Sequence, residues 1–144
     1  MIYCLSNKRK MEKIKFEVIN PEELAEPTGY NNGMLYHSGR MLFISGQIGW
    51  NKEKQIVSDN FSTQFEQALA NLISVVRAAG GEPTSIGKLT IFVTSKQEYI
   101  SEIKTVGSAY RKLMGKHFPA MTLVEVKSLL EPSAKVEIEG IAVL

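Results

Sequence analysis

Glu125, Glu137 and Glu139 are the residues of this chain best suited to chemistry, and two of them lie on one short alternating stretch. That stretch reads Val136-Glu137-Ile138-Glu139-Gly140. Side chains alternate faces along a strand, so Glu137 and Glu139 share one face while Val136, Ile138 and Gly140 take the other. A second stretch with strand character opens Phe118-Pro119-Ala120 and runs through Val126, joined to the first by the polar connection Lys127–Lys135. A carboxylate on one strand beside a Pro-Ala-initiated strand suits a small-molecule site in which an acid directs a water. Metal chemistry has no such support. His37 and His117 are the only histidines, 80 positions apart, and Cys4 is the only cysteine. No ligand spacing, thiolate cage or internal disulfide is expected from that set. Ser45 has no histidine placed to act as its base, so a nucleophilic role is not expected.

At 144 residues the chain is the size of one domain, with hydrophobic content of 44% and charged content of 22%. Those values are ordinary for a globular domain with a sizeable core. No apolar run approaches the roughly 20 residues of a membrane helix. Met1 to Lys13 carries no long apolar stretch before its basic cluster, so no signal peptide is expected and the expected address is cytoplasmic. The net charge of +2 is local to Lys8, Arg9 and Lys10; from Met11 onward 14 basic residues face 15 acidic ones. Residues 1–13 therefore read as a flexible basic leader, with Met11 as a second candidate start, and 14–144 as one domain. A neutral body offers little footprint for nucleic acid, which is not an expected partner.

The elements that must hold the acids follow from periodicity. Ile14–Ile19 alternates and reads as a first strand, and Pro21–Asn32 as a loop. Met34–His37 and Met41–Ser45 read as a hairpin turned at Ser38-Gly39-Arg40. Asp59–Ala79 is the clearest helix, with Phe65, Leu69, Leu72, Ile73 and Val76 on one stripe. Ser58 or Asp59 is its candidate cap and Gly80-Gly81 its stop. Ile86–Thr94 is strand-like, and Glu98–Met114 returns to helical spacing before Gly115. The order β-β-β-α-β-α-β-β predicts an α+β domain, a mixed sheet of about six strands with two helices on one face. Val124, Val126, Val136 and Ile138 make both sheet faces partly apolar, so self-association is expected to cover the second.

In order and spacing, several segments resemble the RidA (YjgF) family, also labelled endoribonuclease L-PSP. They are Gly29-Tyr30-Asn31, Leu42-Phe43-Ile44-Ser45-Gly46-Gln47-Ile48, Gln64 through Gly80, Phe118-Pro119-Ala120 with Val124-Glu125-Val126, and Val136-Glu137-Ile138-Glu139. The likeness runs from about Pro27 to Leu144. It implies a chorismate-mutase-like fold, a homotrimer with small-molecule clefts between subunits, and cofactor-free hydrolysis of 2-imino or 2-enamino acids to 2-oxo acids and ammonia. In that scheme an arginine directly after the Pro-Ala pair clamps the substrate carboxylate and a glutamate on the last strand positions the attacking water.

Carried onto this sequence, the resemblance puts the tyrosine at Tyr30, the glycine of the Ser-Gly-Gln turn at Gly46 and the catalytic glutamate at Glu137. Two positions depart. The arginine place holds Met121, and an asparagine place falls at Gly107. A thioether cannot bind a carboxylate, so the expected substrate is an enamine or imine other than simple 2-imino acids, a 2-aminomuconate-like compound being one candidate. Met121 is expected as an apolar cleft wall, with a core plug as the alternative, Thr122 as a hydroxyl replacing part of the clamp, and Trp50 either as a cleft cap or as a loop anchor. Glu125 and Glu139 are expected as ion-paired structural acids, and Arg40 or Arg111 as cations able to reach a neighbour's cleft. The alternative function is a non-catalytic metabolite-binding module; ribonuclease activity ranks last because the chain lacks a basic groove.

Overall fold

The computed structural model describes residues 16–144. The basic leader at 1–13, Cys4, and the Ile14 start of the first strand lie outside the described residues. Two strands, β1 (Phe16–Ile19) and β2 (Gly33–Tyr36), form an antiparallel pair. Four more form a mixed sheet: β3 (Met41–Ile48), β4 (Ile86–Val93), β5 (Ala120–Glu125) and β6 (Val136–Val143), in the order β3-β6-β4-β5. The helices are α1 (Phe61–Ala78), α2 (Lys96–Ser101) and α3 (Ile103–Met114). The domain is thus α+β with a mixed sheet, its six strands divided four and two rather than joined in one sheet.

The expected β2–β3 hairpin does not form. Gly39 turns the chain at φ +129°, and any side chain there would meet Val143 Cγ1 at 2.5 Å. Beyond the turn the C-terminal strand captures the backbone, Arg40 N donating to Leu144 O at 2.6 Å and Leu144 N to Arg40 O at 2.8 Å. β3 therefore pairs with β6, from Met41↔Val143 to Ile44↔Gly140, and β2 pairs with β1. The last two strands are not neighbours either, because β4 lies between them, parallel to β5 and antiparallel to β6.

The stripe on α1 is buried as its spacing predicts: Phe65, Leu69, Leu72, Ile73 and Val76 join Leu89, Ile91, Val93, Val136 and Ile138 in one core. Each such side chain contributes about 1.5–3 kcal/mol on burial. The cap is Asn60 rather than Ser58 or Asp59, its Oδ1 accepting from Thr63 N at 2.9 Å. The second expected helix breaks at Glu102, whose φ of −105° and ψ of 13° separate α2 from α3. The break frees that side chain to reach α1, where Oε2 accepts from Ser62 N at 2.9 Å. Its pairing with Ser62 holds the Glu102 carboxyl below its ordinary range, beside the positive end of a helix dipole.

Gln64 fixes the approach to β6. Fully buried on α1, it donates to Ser58 O at 2.8 Å and Ser133 O at 3.0 Å, and accepts from Lys135 N at 2.8 Å. Val136 and Glu137 follow directly from that anchor. Registers then sort the sheet into two faces. Leu89, Ile91, Ile138 and Ala142 look toward the helices, whereas Phe43, Phe92, Glu137, Glu139 and Ile141 look away. The open face is partly apolar, with Phe43 71% and Met41 61% exposed.

Candidate functional site

Glu137 lies on β6 opposite Ile48 of β3, next to an irregularity in the pairing between Ile44 and Gln47. Ser45 and Gly46 form that bulge, which re-aims the β3 backbone. A side-chain carbon built on Gly46 would lie 2.8 Å from Glu137 Cδ and 2.9 Å from Cγ, and closer still to Oε1. The carboxyl group therefore occupies the space that glycine leaves. Glu137 is partly buried, and its carboxylate makes no hydrogen bond or ion pair among the described residues. An acid held in place yet free of partners can take a proton from a water.

A second cluster gathers at the start of β5. Asn31 bridges Ala120 in parallel fashion, its backbone N donating to Pro119 O at 3.1 Å and its Nδ2 to Phe118 O at 2.6 Å. Those bonds dock the loop carrying the exposed Tyr30 beside the Pro-Ala segment. Met121 is in register with Leu89 and packs against the main core, so it sits on the helix side of the sheet. Thr122, in register with Thr90, faces the open side, where its Oγ1 accepts from Lys88 Nζ at 2.7 Å.

The two clusters are apart within one chain. Lys88 pairs with Ala120, while Phe92 pairs with Glu137. Four residues along β4 amount to roughly 13 Å. Trp50 belongs to neither cluster. Its carbonyl accepts from Asn71 Nδ2 at 3.0 Å, its backbone bridges Ile56, and Lys54 Nζ stands 6.0 Å from its ring. Its contacts tie its own loop to α1. Glu125 and Glu139 are exposed and form no ion pair among the described residues, which corrects the expectation that both are paired. Arg111 lies over Gly107, its Nη1 3.3 Å from where a side-chain carbon would stand.

Lys88 was missed by sequence reasoning, although the alternation of Lys88, Thr90 and Phe92 was a sufficient signal for its face. Among the described residues no group of three His, Cys, Asp or Glu side chains could hold a metal ion, and no described helix is long and apolar enough to cross a membrane. His117 has a structural place: its Nε2 pairs with Ile86 O at 2.7 Å and its carbonyl accepts from Tyr110 Oη at 2.7 Å.

Residues 21–144 match the family model described as endoribonuclease L-PSP. The chain is 36% identical over 108 residues to the 2-iminobutanoate/2-iminopropanoate deaminase of Salmonella typhimurium, covering 73% of this chain and 80% of that one. With the human protein of the same name it shares 32% over 105 residues, 72% and 73% of the two chains. Among solved structures, YyfB of the Rid family from Yersinia pestis superimposes with a TM-score of 0.79 at 30% identity, over 90% of this chain and 98% of that one. The YjgF gene product of E. coli gives 0.62 at 33%, over 79% and 87%.

Proposed function

The chain belongs to the endoribonuclease L-PSP family, which includes the RidA and YjgF proteins, and from that premise we propose that it hydrolyses an enamine or imine metabolite in a cleft between subunits. The carrying observation is the Glu137 carboxylate seated against Gly46 without a competing partner. Water adds to the imine carbon while Glu137 accepts its proton. A proton passes to nitrogen, the C–N bond breaks, and ammonia leaves as the remaining hydroxyl becomes the carbonyl. No cofactor takes part.

The assembly is a homotrimer. Two observations support it: the apolar open face, and the separation of the Gly46–Glu137 pair from the Tyr30–Thr122 cluster. Pairing one protomer's glutamate with another's Tyr30 loop would complete a site that one chain leaves divided. Met121 supports a substrate other than a simple 2-imino acid, because its thioether lies on the core side and offers a carboxylate no charge. Larger, more apolar imines fit that chemistry.

The test uses imines generated in place, 2-iminobutyrate from threonine by a dehydratase and branched or aromatic imino acids by an amino-acid oxidase. Faster hydrolysis of the larger imines, abolished in Glu137→Gln, is the expected result. No acceleration with any imine would leave a metabolite-binding role.

A further inference from the structure

The bulge at Ser45 and Gly46 is held unevenly. On one side, the pairs from Met41↔Val143 to Ile44↔Gly140 fix β3 against β6. On the other, only Gln47↔Ile138 and Ile48↔Glu137 follow before the strand ends at Ile48. Between the two runs β3 takes three steps where β6 takes two, the one extra residue of a bulge. Two pairs are a weak hold. A slip by that residue would put Gln47 opposite Glu137 and Gly46 opposite Ile138, so the carboxyl group would lose the space that glycine leaves.

The missing hold comes from α1. Asn71 Nδ2 donates to Ile48 O and to Trp50 O, each at 3.0 Å. Carbonyl oxygens only accept, so the nitrogen of that amide must face them and its Oδ1 must face away. Gln67 Nε2 donates to that Oδ1 at 2.8 Å, which fixes the orientation from the other side. Gln64, three residues before Gln67 on the same helical face, accepts from Lys135 N at 2.8 Å at the entry to β6. One helix therefore grips both strands, β6 two residues before Glu137 and β3 two residues after Gly46. Gly49 permits the close approach, since a side-chain carbon on it would lie 2.7 Å from Gln64 Cα.

We infer that Asn71, oriented by Gln67, is a positioning residue: it locks the extra residue of β3 at the Ser45–Gly46 bulge and so seats the Glu137 carboxylate against Gly46. It acts through Glu137 rather than on a substrate. Its effect on rate rests on the hydrolytic role proposed above, whereas its effect on seating does not.

Seating is read directly as a nuclear Overhauser effect between the Gly46 α-hydrogens and the Glu137 γ-hydrogens, expected in the wild type. Asn71→Leu, close in volume but without either donor, should abolish it. Gln67→Glu should do the same, because a carboxylate turns the Asn71 amide and aims its Oδ1 at two carbonyls. Gln67→Lys keeps a donor and should preserve the effect; this pair decides the matter even where Asn71→Leu does not fold. In imine hydrolysis, kcat should fall at least about tenfold in Asn71→Leu and Gln67→Glu with KM unchanged, and Gln67→Lys should recover most of that loss. An Overhauser effect absent from the wild type, or retained in Asn71→Leu and Gln67→Glu, overturns the inference. Equal loss in Gln67→Lys and Gln67→Glu overturns it as well. Loss of the effect in the expected variants with turnover unchanged would uphold the seating and sink Glu137 as the base, so the two failures are told apart.

Discussion

Gly46 and Glu137 divide one volume between them: the carboxyl group of the glutamate stands where any side chain on residue 46 would be. The bulge on β3 and the register of β6 thus cooperate to set a single rotamer-bearing acid against bare backbone. Gly46→Ala should expel that carboxylate without changing its chemistry, costing about 1–3 kcal/mol through crowding. Glu137→Gln should keep the packing and remove the base. Both should lower imine hydrolysis by about 10²-fold or more, with only Gly46→Ala lowering the melting temperature. Full activity in either variant, measured as 2-oxo acid release, would remove the pair from the mechanism.

Met121→Arg is expected to raise turnover of 2-iminobutyrate, by supplying the forked donor that a thioether lacks. Because Met121 now packs against the core, the longer side chain must leave by the β5 edge, and a loss of about 1–3 kcal/mol in stability should accompany the gain. Wild type and variant are compared in one dehydratase-coupled assay. A wild type as fast on iminobutyrate as an arginine-bearing relative would contradict the substrate proposed above.

Tyr36 Oη is a buried side-chain oxygen with no hydrogen-bond partner, its ring lying against Gly87. An unsatisfied hydroxyl is unfavourable, and removing it leaves the packing intact. Tyr36→Phe should therefore stabilise the fold by about 1 kcal/mol, read from the urea midpoint. A destabilised variant would show that the hydroxyl has a partner in the working protein.

Alkaline pH should unfold the chain through the same ring and one other. Burial pushes the Tyr36 phenol up to about 12 from 10.0, and raises that of Tyr110 as well. Below pH 10 both states keep these protons and the fold has its full stability. Above it the unfolded chain releases them first, so stability falls as pH rises toward 12. Denaturant midpoints measured across that window should decline, and should decline less in Tyr36→Phe.

Assembly is testable through Phe43, the most exposed large residue of the open face at 71%. Light scattering should give about three times the 16.0 kDa chain mass, and Phe43→Asp should return a folded monomer that has lost activity. A wild-type monomer at micromolar concentration would exclude the shared cleft.

The α1 stripe and the alternation around Glu137 were legible because each depends on local periodicity alone, which burial against one core rewards directly. Strand partners were not. Met34–His37 and Met41–Ser45 look like a hairpin until Leu144 is known to pair with Arg40, a contact across the whole domain. Likewise Glu98–Met114 has unbroken helical spacing, and the break coincides with a long-range bond between Glu102 and Ser62 that spacing does not reveal. Gly46 and Glu137 were each singled out, but no pattern in the chain reveals that they touch. Met121 was expected on a cleft wall because the resemblance puts the carboxylate-binding arginine at its place; its face is fixed by its register with Leu89, which spacing cannot supply.

The strand order β3-β6-β4 also governs how the protein is made. The strand synthesised last of the three belongs in the middle, so β3 and β4 leave the ribosome with facing edges that have nothing to bind. β6 must therefore enter between two strands made before it, and the Gln64 bonds to Ser133 and Lys135 hold the segment that leads directly into it. Closure over so long a separation is slow. Until it occurs, the facing edges of β3 and β4 keep open backbone groups, the kind of edge that pairs with other chains.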